Sequence, residues 1–491
     1  MTDSSLSVRT THAGLWVVGG KLFSKALDFI SLLILARFLG PGEFGLVAMA
    51  MTSVQIVEAI TDMPLAAVLL NQKKPTDTMY DTALTLAILR SVGIVAVLSL
   101  IAWPMSVLYH EPRLIALQCV LAFAPAMRGL VSSRMTEYAR VFDFRRDVAL
   151  ETIAKAGALG ISAFLAITTG SYWAIAVGSL STTAVMMIVS YFFAPQRFRL
   201  DLGQWRLFSD MIGWSTAGQV LSAINWQTDK IVLPRFVNTT VYGHFASADN
   251  LISIPYQAIV VPIIRPLYSA FVAVRETGNV GSVYLKASSG IFSIVGPIWL
   301  MIAILSQPIV HLILGPKWME AAPLLTWLAS TAITLLPAVT LPALAMAMNQ
   351  TRIAFIRVAV EFCIKVPLIV ILAMQIQLKG ILIGHTISSV IMLIVSFFLV
   401  KHLTGLRVYA QLQSLFRPAI SMIAIFLFLL PASRLFTSTD TAVFTFLTLS
   451  WVCAAALIIF AAVNLLLWKI AGCPDGYERI GLKMVRKIIR V

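Results

Sequence analysis

From Ala442 to Trp468 the chain reads AVFTFLTLSWVCAAALIIFAAVNLLLW, without one charged residue. As a helix that run is about 40 Å long, more than the ~30 Å hydrocarbon core of a bilayer. Similar runs recur along the 491 residues. Apolar length gives about fourteen candidate spans: 13–38, 44–70, 81–108, 115–134, 148–169, 172–194, 211–236, 242–271, 284–313, 321–347, 354–374, 379–402, 415–436 and 441–470. They are too long and too uniformly apolar for the ~10-residue alternating strands of a membrane barrel. Only 12% of residues are charged and mean hydropathy is +0.89, against ~25% charged in soluble domains. The expected class is an all-α membrane protein.

Loop charge orients the spans. One set of loops carries Lys73, Lys74, Arg134, Arg140, Arg145, Arg146, Arg197, Arg199, Arg206, Arg275, Arg352, Arg357, Lys401, Arg407 and Arg417. The alternate set has little beyond Arg37, Arg113, Arg235, Lys317, Lys379 and Arg434. The positive-inside rule makes the first set cytoplasmic, and both termini with it. The net charge of +15 then reflects this bias and an anionic lipid surface, not nucleic acid. In the tail 471–491, Ile480, Met484, Val485 and Ile488 share one helical face. Lys483, Arg486, Lys487 and Arg490 lie elsewhere, which reads either as a basic amphipathic helix on the inner leaflet or as a solvated basic tail.

One loop is written twice. ILARFLGPGEFGLVAMA spans 34–50, and VLPRFVNTTVYGHFASA spans 232–248. Leu35, Arg37, Phe38, Gly45, Ala48 and Ala50 recur, offset by 198 residues, as Leu233, Arg235, Phe236, Gly243, Ala246 and Ala248. Span one carries the polar stripe Lys21, Ser24, Lys25, Asp28 and Ser31, and span seven a similar one of Gln219, Ser222, Asn225, Trp226 and Asp229; the same offset puts Gln219 on Lys21, Ser222 on Ser24 and Asp229 on Ser31. Thr52, Gln55 and Glu58 of span two fall on Asn250, Ser253 and Tyr256 of span eight. The chain therefore reads as two six-helix lobes, 1–205 and 206–403, followed by two extra helices in 404–470. Six is even, so both lobes enter from one side, which makes the repeat parallel.

A charge at a span's centre costs about 2.5–3.5 kcal/mol if it faces lipid. Charges gathered on one face escape that cost by facing a cavity. Lys21, Lys25 and Asp28 are the leading candidates for a substrate cavity, with Glu58, Asp62, Arg90, Asn225, Asp229, Lys230 and Arg265. Arg90 and Arg265 have a second reading as residues snorkelling to the interface. Asp229 is expected to balance Lys25 or Lys21. Arg37 and Arg235, at the outer ends of their spans, read as an outer gate or as anchors. Glu151–Lys155 and Glu361–Lys365 are opposite charges four residues apart and read as neutralised structural pairs. Pro255, Pro262, Pro266, Pro297, Pro337 and Pro342 predict kinked spans.

Catalytic motifs fail. GLWVVGGKL has the wrong glycine spacing for a phosphate loop, and Leu22 stands where Ser or Thr is needed. Cys119, Cys363, Cys453 and Cys473 are scattered, so neither a metal site nor a disulfide framework is expected. The chain reads as a non-enzyme without cofactor, with Na+ or H+ coupling left open.

LARFLGPGEFGLVAMA after span one and NWQTDKIVLPRF in span seven, within a six-six-two plan, resemble the polysaccharide transporter family of the multidrug/oligosaccharidyl-lipid/polysaccharide superfamily. Its members are similar to Wzx-like flippases. The resemblance implies alternating-access transport of undecaprenyl-diphosphate-linked oligosaccharide repeat units across the bacterial inner membrane, for exopolysaccharide synthesis. It also implies membrane lipid, a polysaccharide polymerase and glycosyltransferases as partners. Among its branches the exopolysaccharide exporters of the rhizobial succinoglycan type look nearest. The second loop, VNTTVYG, departs from the pattern by lacking Gly-Pro. A cation-coupled drug antiporter of the same superfamily is the first alternative; it calls for an acidic cavity, whereas span one has more Lys than Asp. A membrane-embedded polysaccharide polymerase or ligase is the second; no large external loop is present to carry its chemistry.

Overall fold

The computed structural model describes residues 3–63, 65–72, 75–141, 143–276, 278–436 and 441–479. The loop lysines Lys73 and Lys74, and the tail residues 480–491 expected to form the amphipathic helix, lie outside the described residues. No strand occurs among those described. The polypeptide forms two compact units, residues 1–243 and 244–491.

The first unit begins with α1 (Asp3–Phe38), α2 (Pro41–Ile60), α3 (Leu65–Asn71) and α4 (Asp77–Tyr109). A bent span follows, made of α5 (Arg113–Leu121), α6 (Phe123–Gly129) and α7 (Thr136–Arg140). Then come α8 (Arg145–Thr169), α9 (Trp173–Phe193) and α10 (Trp205–Val232). The helix α11 (Thr239–Pro255) starts in this unit and continues into the second. The second unit continues through α12 (Val261–Val274), α13 (Val280–Ile304), α14 (Ser306–Ile313), α15 (Ala321–Leu335) and α16 (Leu341–Ala347). It ends with α17 (Thr351–Thr404), α18 (Val408–Ala432) and α19 (Ala442–Ile470).

Ten helices among the described residues are long and apolar enough to cross a membrane, or eleven with the bent α5–α7 span. That is fewer than the fourteen expected, for physical reasons. α17 is one of the ten, but it reverses at Ile376 and Gln377, whose backbone is non-helical. Its arms pack so closely there that a Cβ on Gly380 would sit 2.0 Å from the Leu372 carbonyl oxygen. α1 and α10 have the length, 36 and 28 residues, but they carry the polar stripes. Apolar length therefore does not select them. By contrast α19 is apolar all round, and Phe444, Leu447, Trp451 and Ile458 on it are exposed, as a lipid-facing helix requires.

Helices break at Pro255 and Pro337, whereas Pro266 and Pro297 lie inside the unbroken α12 and α13. After Pro255 the chain makes a π-helical turn over 256–260 before α12, and the Trp299 indole donates to the Ile252 carbonyl at 3.1 Å. At Pro337, between α15 and α16, the carbonyl accepts from Ser288 at 2.7 Å and Tyr284 at 3.3 Å. Backbone groups displaced by a kink cannot be left unpaired in hydrocarbon. Beyond α19, Glu478 pairs with Arg417 at 2.8 Å, Asp475 with Lys286 at 2.6 Å, and Tyr477 donates to Asn464 at 3.0 Å. These contacts pin residues 475–478 onto α13, α18 and α19.

The duplicated loop has a structural cause. α2 starts at Pro41 and α11 at Thr239, positions equivalent under the repeat. The first start uses Gly40 as cap with Pro41 behind it. The second uses the Asn238 side chain, which accepts from the Val241 amide at 2.9 Å. Asparagine capping thus does in the second copy what Gly-Pro does in the first. The two copies also meet. A Cβ on Gly45 would lie 1.8 Å from the Thr239 carbonyl oxygen, and one on Gly243 would lie 1.8 Å from that of Pro41. Each glycine of the repeat packs on the first residue of the other copy's helix, and only hydrogen fits there. Tyr242, fully buried, reaches Thr52 at 3.1 Å and the Lys230 carbonyl at 3.3 Å.

Candidate functional site

The charged stripe of α1 is completed by α8. Along α8 the buried positions Ala154, Ala158, Ser162 and Ala166 recur every fourth residue. Such a small-residue face lets neighbouring backbones come close. Gly178 of α9 meets it so tightly that a Cβ there would lie 2.8 Å from the Ser162 Cβ. On the α1 side, Asp28 Oδ2 accepts from Lys155 Nζ at 2.8 Å, and Lys25 Nζ lies 3.7 Å from the same oxygen. Lys155 Nζ is also 3.2 Å from Glu151 Oε1, which accepts from the Ser24 hydroxyl. Both interhelix pairs, Ser24–Glu151 and Asp28–Lys155, have the same separation of 127 residues. A constant separation means that α1 and α8 run parallel here, as two odd-numbered spans must.

Lys21 is exposed beside this cluster and acts electrostatically on Glu151. Lys21, Lys25 and Lys155 against Asp28 and Glu151 leave one positive charge in excess. Asp28 and Lys155 border a cleft of about 200 Å³ between α1, α8 and α9, with the hydroxyls of Ser31, Ser162, Ser179 and Thr182 in its wall. That is room for a few waters or a small polar group, not for an oligosaccharide. The cleft can hold a small polar group or hydrate the ions; a larger ligand would have to lie outside it.

A second cluster sits where span two breaks. α2 stops at Ile60 and α3 begins at Leu65, which exposes the last carbonyls of α2. Arg90 of α4 donates from Nε to the Thr61 carbonyl at 2.7 Å, and its Nη2 lies 3.7 Å from Asp62. Its side chain is only 11% exposed. A cation at a helix C-terminus is favoured by the helix dipole. Glu58, one turn earlier, pairs with Arg128 of α6 at 2.6 Å. Of the two readings of Arg90, this geometry is that of a cap on a broken helix.

The remaining expected residues are more dispersed. α10, assigned to the second lobe by the repeat, packs on α2 within the first unit. Gln227 donates to Gln55 across that contact at 2.6 Å. Asn225 and Asp229 are both 6% exposed on α10, while Lys230 Nζ lies 5.6 Å from the Trp226 ring centroid. Arg265 is exposed on α12 in the second unit. Arg37, in the last turn of α1, and Arg235, just beyond α10, are both exposed. Nearby, Glu43 of the first copy accepts from the Tyr172 amide at 2.8 Å and lies 3.8 Å from Arg113. Arg113 also binds Glu111 at 2.8 Å. Glu361 lies 3.5 Å from Arg357 and Lys365 is buried. Among the described residues no group of three His, Cys, Asp or Glu side chains could hold a metal.

Sequence reasoning set Glu151 and Lys155 aside as a structural pair and did not single out Arg128. The signal for the first was present. Ser24 and Asp28 on one helix, and Glu151 and Lys155 on another, share the same four-residue step with complementary chemistry. Nothing comparable marks Arg128, because its pairing depends on the bend after α6.

A profile of the polysaccharide biosynthesis protein family matches residues 34–323, from the first copy of the loop into the second unit. The chain belongs to that family. Among related members, the succinoglycan biosynthesis transport protein ExoT of Rhizobium meliloti (strain 1021) is 24% identical over 331 residues. That match spans a little under two thirds of each chain, 66% of both. The lipopolysaccharide biosynthesis protein WzxC of Escherichia coli (strain K12) is 22% identical over 427 residues, 84% of this chain and 85% of WzxC. In fold, this family member is similar to the lipid II flippase MurJ in its inward closed conformation. The TM-score is 0.73 at 14% identity, over 93% of this chain and 99% of MurJ. An inward-facing multidrug resistance MATE family transporter of the MOP superfamily gives 0.59 at 14% identity, over 79% and 96%. The all-helical multi-span fold is thus similar to the folds of these two transporters.

Proposed function

We propose that this protein flips a lipid-linked oligosaccharide, carried on undecaprenyl diphosphate, across the bacterial inner membrane during exopolysaccharide synthesis. Both termini are cytoplasmic in this reading, and lobes 1–205 and 206–403 rock about the substrate. The family and its transport-protein relatives support the class. The observation that carries the reading is the Lys21–Lys25–Asp28–Glu151–Lys155 cluster, with its excess of positive charge on two parallel helices. Ammonium groups are strong point-charge partners for phosphate. Exopolysaccharide of the succinoglycan type is the finer assignment, and it rests on the ExoT relationship. A polymerase and glycosyltransferases would act beside the protein. No cofactor enters, and a Na+ or H+ gradient is the candidate energy source.

The drug-antiporter reading shares the fold. Against it, the α1–α8 carboxylates and those at the span-two break all have a built-in Lys or Arg close by, so the first unit offers an organic cation no net negative charge at these points. The test is complementation of a polymer-producing strain lacking its own flippase. Restored polymer with the wild type, and accumulated lipid-linked repeat units with Lys25→Ala at normal membrane levels, is the expected result. Normal polymer from the Lys21→Ala/Lys25→Ala double variant would refute a substrate role for the stripe.

A further inference from the structure

We propose that Asp28 is a built-in stand-in for the substrate's diphosphate: its carboxylate holds Lys25 and Lys155 until an anionic headgroup takes its place. The inference rests on the flippase reading and assigns a specificity-setting role to a residue pair on two helices.

The geometry carries it. One oxygen, Asp28 Oδ2, serves two ammonium groups, at 2.8 Å from Lys155 Nζ and 3.7 Å from Lys25 Nζ. A phosphate oxygen accepts from an ammonium at about 2.7–2.9 Å, the separation at which Lys155 meets Asp28. Two lysines from different helices repel unless an anion lies between them, so the arrangement selects for a negative group at that point. The partners differ in how firmly they are held. Lys155 is 19% exposed and is also tied to Glu151 at 3.2 Å, while Glu151 is bound by Ser24. Lys25 and Asp28 are 59% and 44% exposed. Asp28 can therefore withdraw while Lys155 keeps its place. Exchange of one anion for another leaves the number of paired charges unchanged. That keeps binding reversible, which a flippase needs on both sides of the membrane. The adjoining cleft, walled by Ser31, Ser179 and Thr182, gives water a place to hydrate the displaced carboxylate.

A purely structural ion pair makes the opposite prediction about affinity. Removing a structural partner loosens the site, whereas removing a competitor tightens it. The experiment uses the full chain in nanodiscs, with a long-chain polyprenyl diphosphate as lipid probe and inorganic pyrophosphate as soluble probe. Wild type, Asp28→Asn and Lys155→Met are compared, with Asp28→Ser scored alongside in case the amide disturbs folding. Loss of a competing, partly exposed ion pair should tighten polyprenyl diphosphate binding roughly two- to fivefold in the Asp28 variants. Lys155→Met should weaken it, and flipping by Asp28→Asn should slow through delayed release. Equal or weaker binding by both Asp28 variants, with normal binding by wild type, overturns the stand-in role and leaves the flippase reading intact. No binding of the lipid by wild type overturns both. Pyrophosphate binding as tight as the lipid's would assign the site to a free ion and overturn the headgroup assignment.

Discussion

Gly45→Ala tests the crossing at which the two copies of the loop meet. The added methyl would stand 1.8 Å from the Thr239 carbonyl oxygen. A carbon and a carbonyl oxygen approach to about 3.3 Å at closest ease, so the backbones must part by about 1.5 Å. Neither side can yield by turning a rotamer, because the obstacle is main chain. Overpacking of this kind costs about 1–3 kcal/mol, and the shift would also disturb the buried Tyr242–Thr52 contact at 3.1 Å. Gly243→Ala should cost a similar amount, since its methyl meets the Pro41 carbonyl at the same 1.8 Å. The double variant should cost less than the sum by about 1 kcal/mol, because one separation relieves both clashes. Gly157→Ala and Gly160→Ala on α8 are the controls. Nothing lies within 4 Å of a Cβ at either, and alanine is the better helix former by about 1 kcal/mol. The assay is thermal or denaturant unfolding of the purified protein in nanodiscs. If Gly45→Ala behaves like the α8 controls, or if the two crossing variants add fully, the account of the repeat is wrong.

Arg90→Gln should destabilise by about 1–3 kcal/mol, because the exposed carbonyls of α2 lose a charged donor; a loss under half a kcal/mol in the same unfolding assay would remove the capping role. The Lys25→Asp/Asp229→Lys double swap should recover part of the export lost in each single variant if the two residues balance each other; export no better than the worse single excludes the pair. Hydrogen bonds from Arg113 hold Glu111, outside the spans, below the ordinary glutamate value of 4.5. A carboxyl with a lowered folded-state value stabilises above its unfolded value and loses that contribution as pH falls through the lowered one. Wild type should therefore lose a small increment of stability below pH 4.5 that Glu111→Gln does not show in an acid titration followed by circular dichroism.

The sequence carried the plan of the molecule because lipid enforces it. Long apolar runs such as 442–468 have one structural meaning, and α19 takes it. The same criterion undercounts where function intrudes, since α1 and α10 trade hydropathy for polar faces. The repeat was legible as identities at Gly45 and Gly243, but not as their mutual contact, which depends on where α2 and α11 begin. The capping change from Gly40-Pro41 to Asn238 looked like a departure from the pattern and proved to be a second solution to the same helix start. In the site, the charges of span one were legible one helix at a time. Their partners Glu151 and Lys155 looked complete as an i,i+4 pair, because a sequence cannot distinguish a salt bridge that ends on its own helix from one that continues onto the next.

The central claim is that the lysines of α1 move a diphosphate-linked glycan. Its most direct test is flipping of a fluorescent polyprenyl-diphosphate oligosaccharide by the full chain in proteoliposomes, read as loss of accessibility to an external quencher. Wild type should move the lipid, and Lys21→Ala/Lys25→Ala should move it at least tenfold more slowly while inserting and unfolding normally, since each tenfold is about 1.4 kcal/mol of lost phosphate interaction. Equal flipping by the double variant, or no flipping by correctly inserted wild type, would contradict the account.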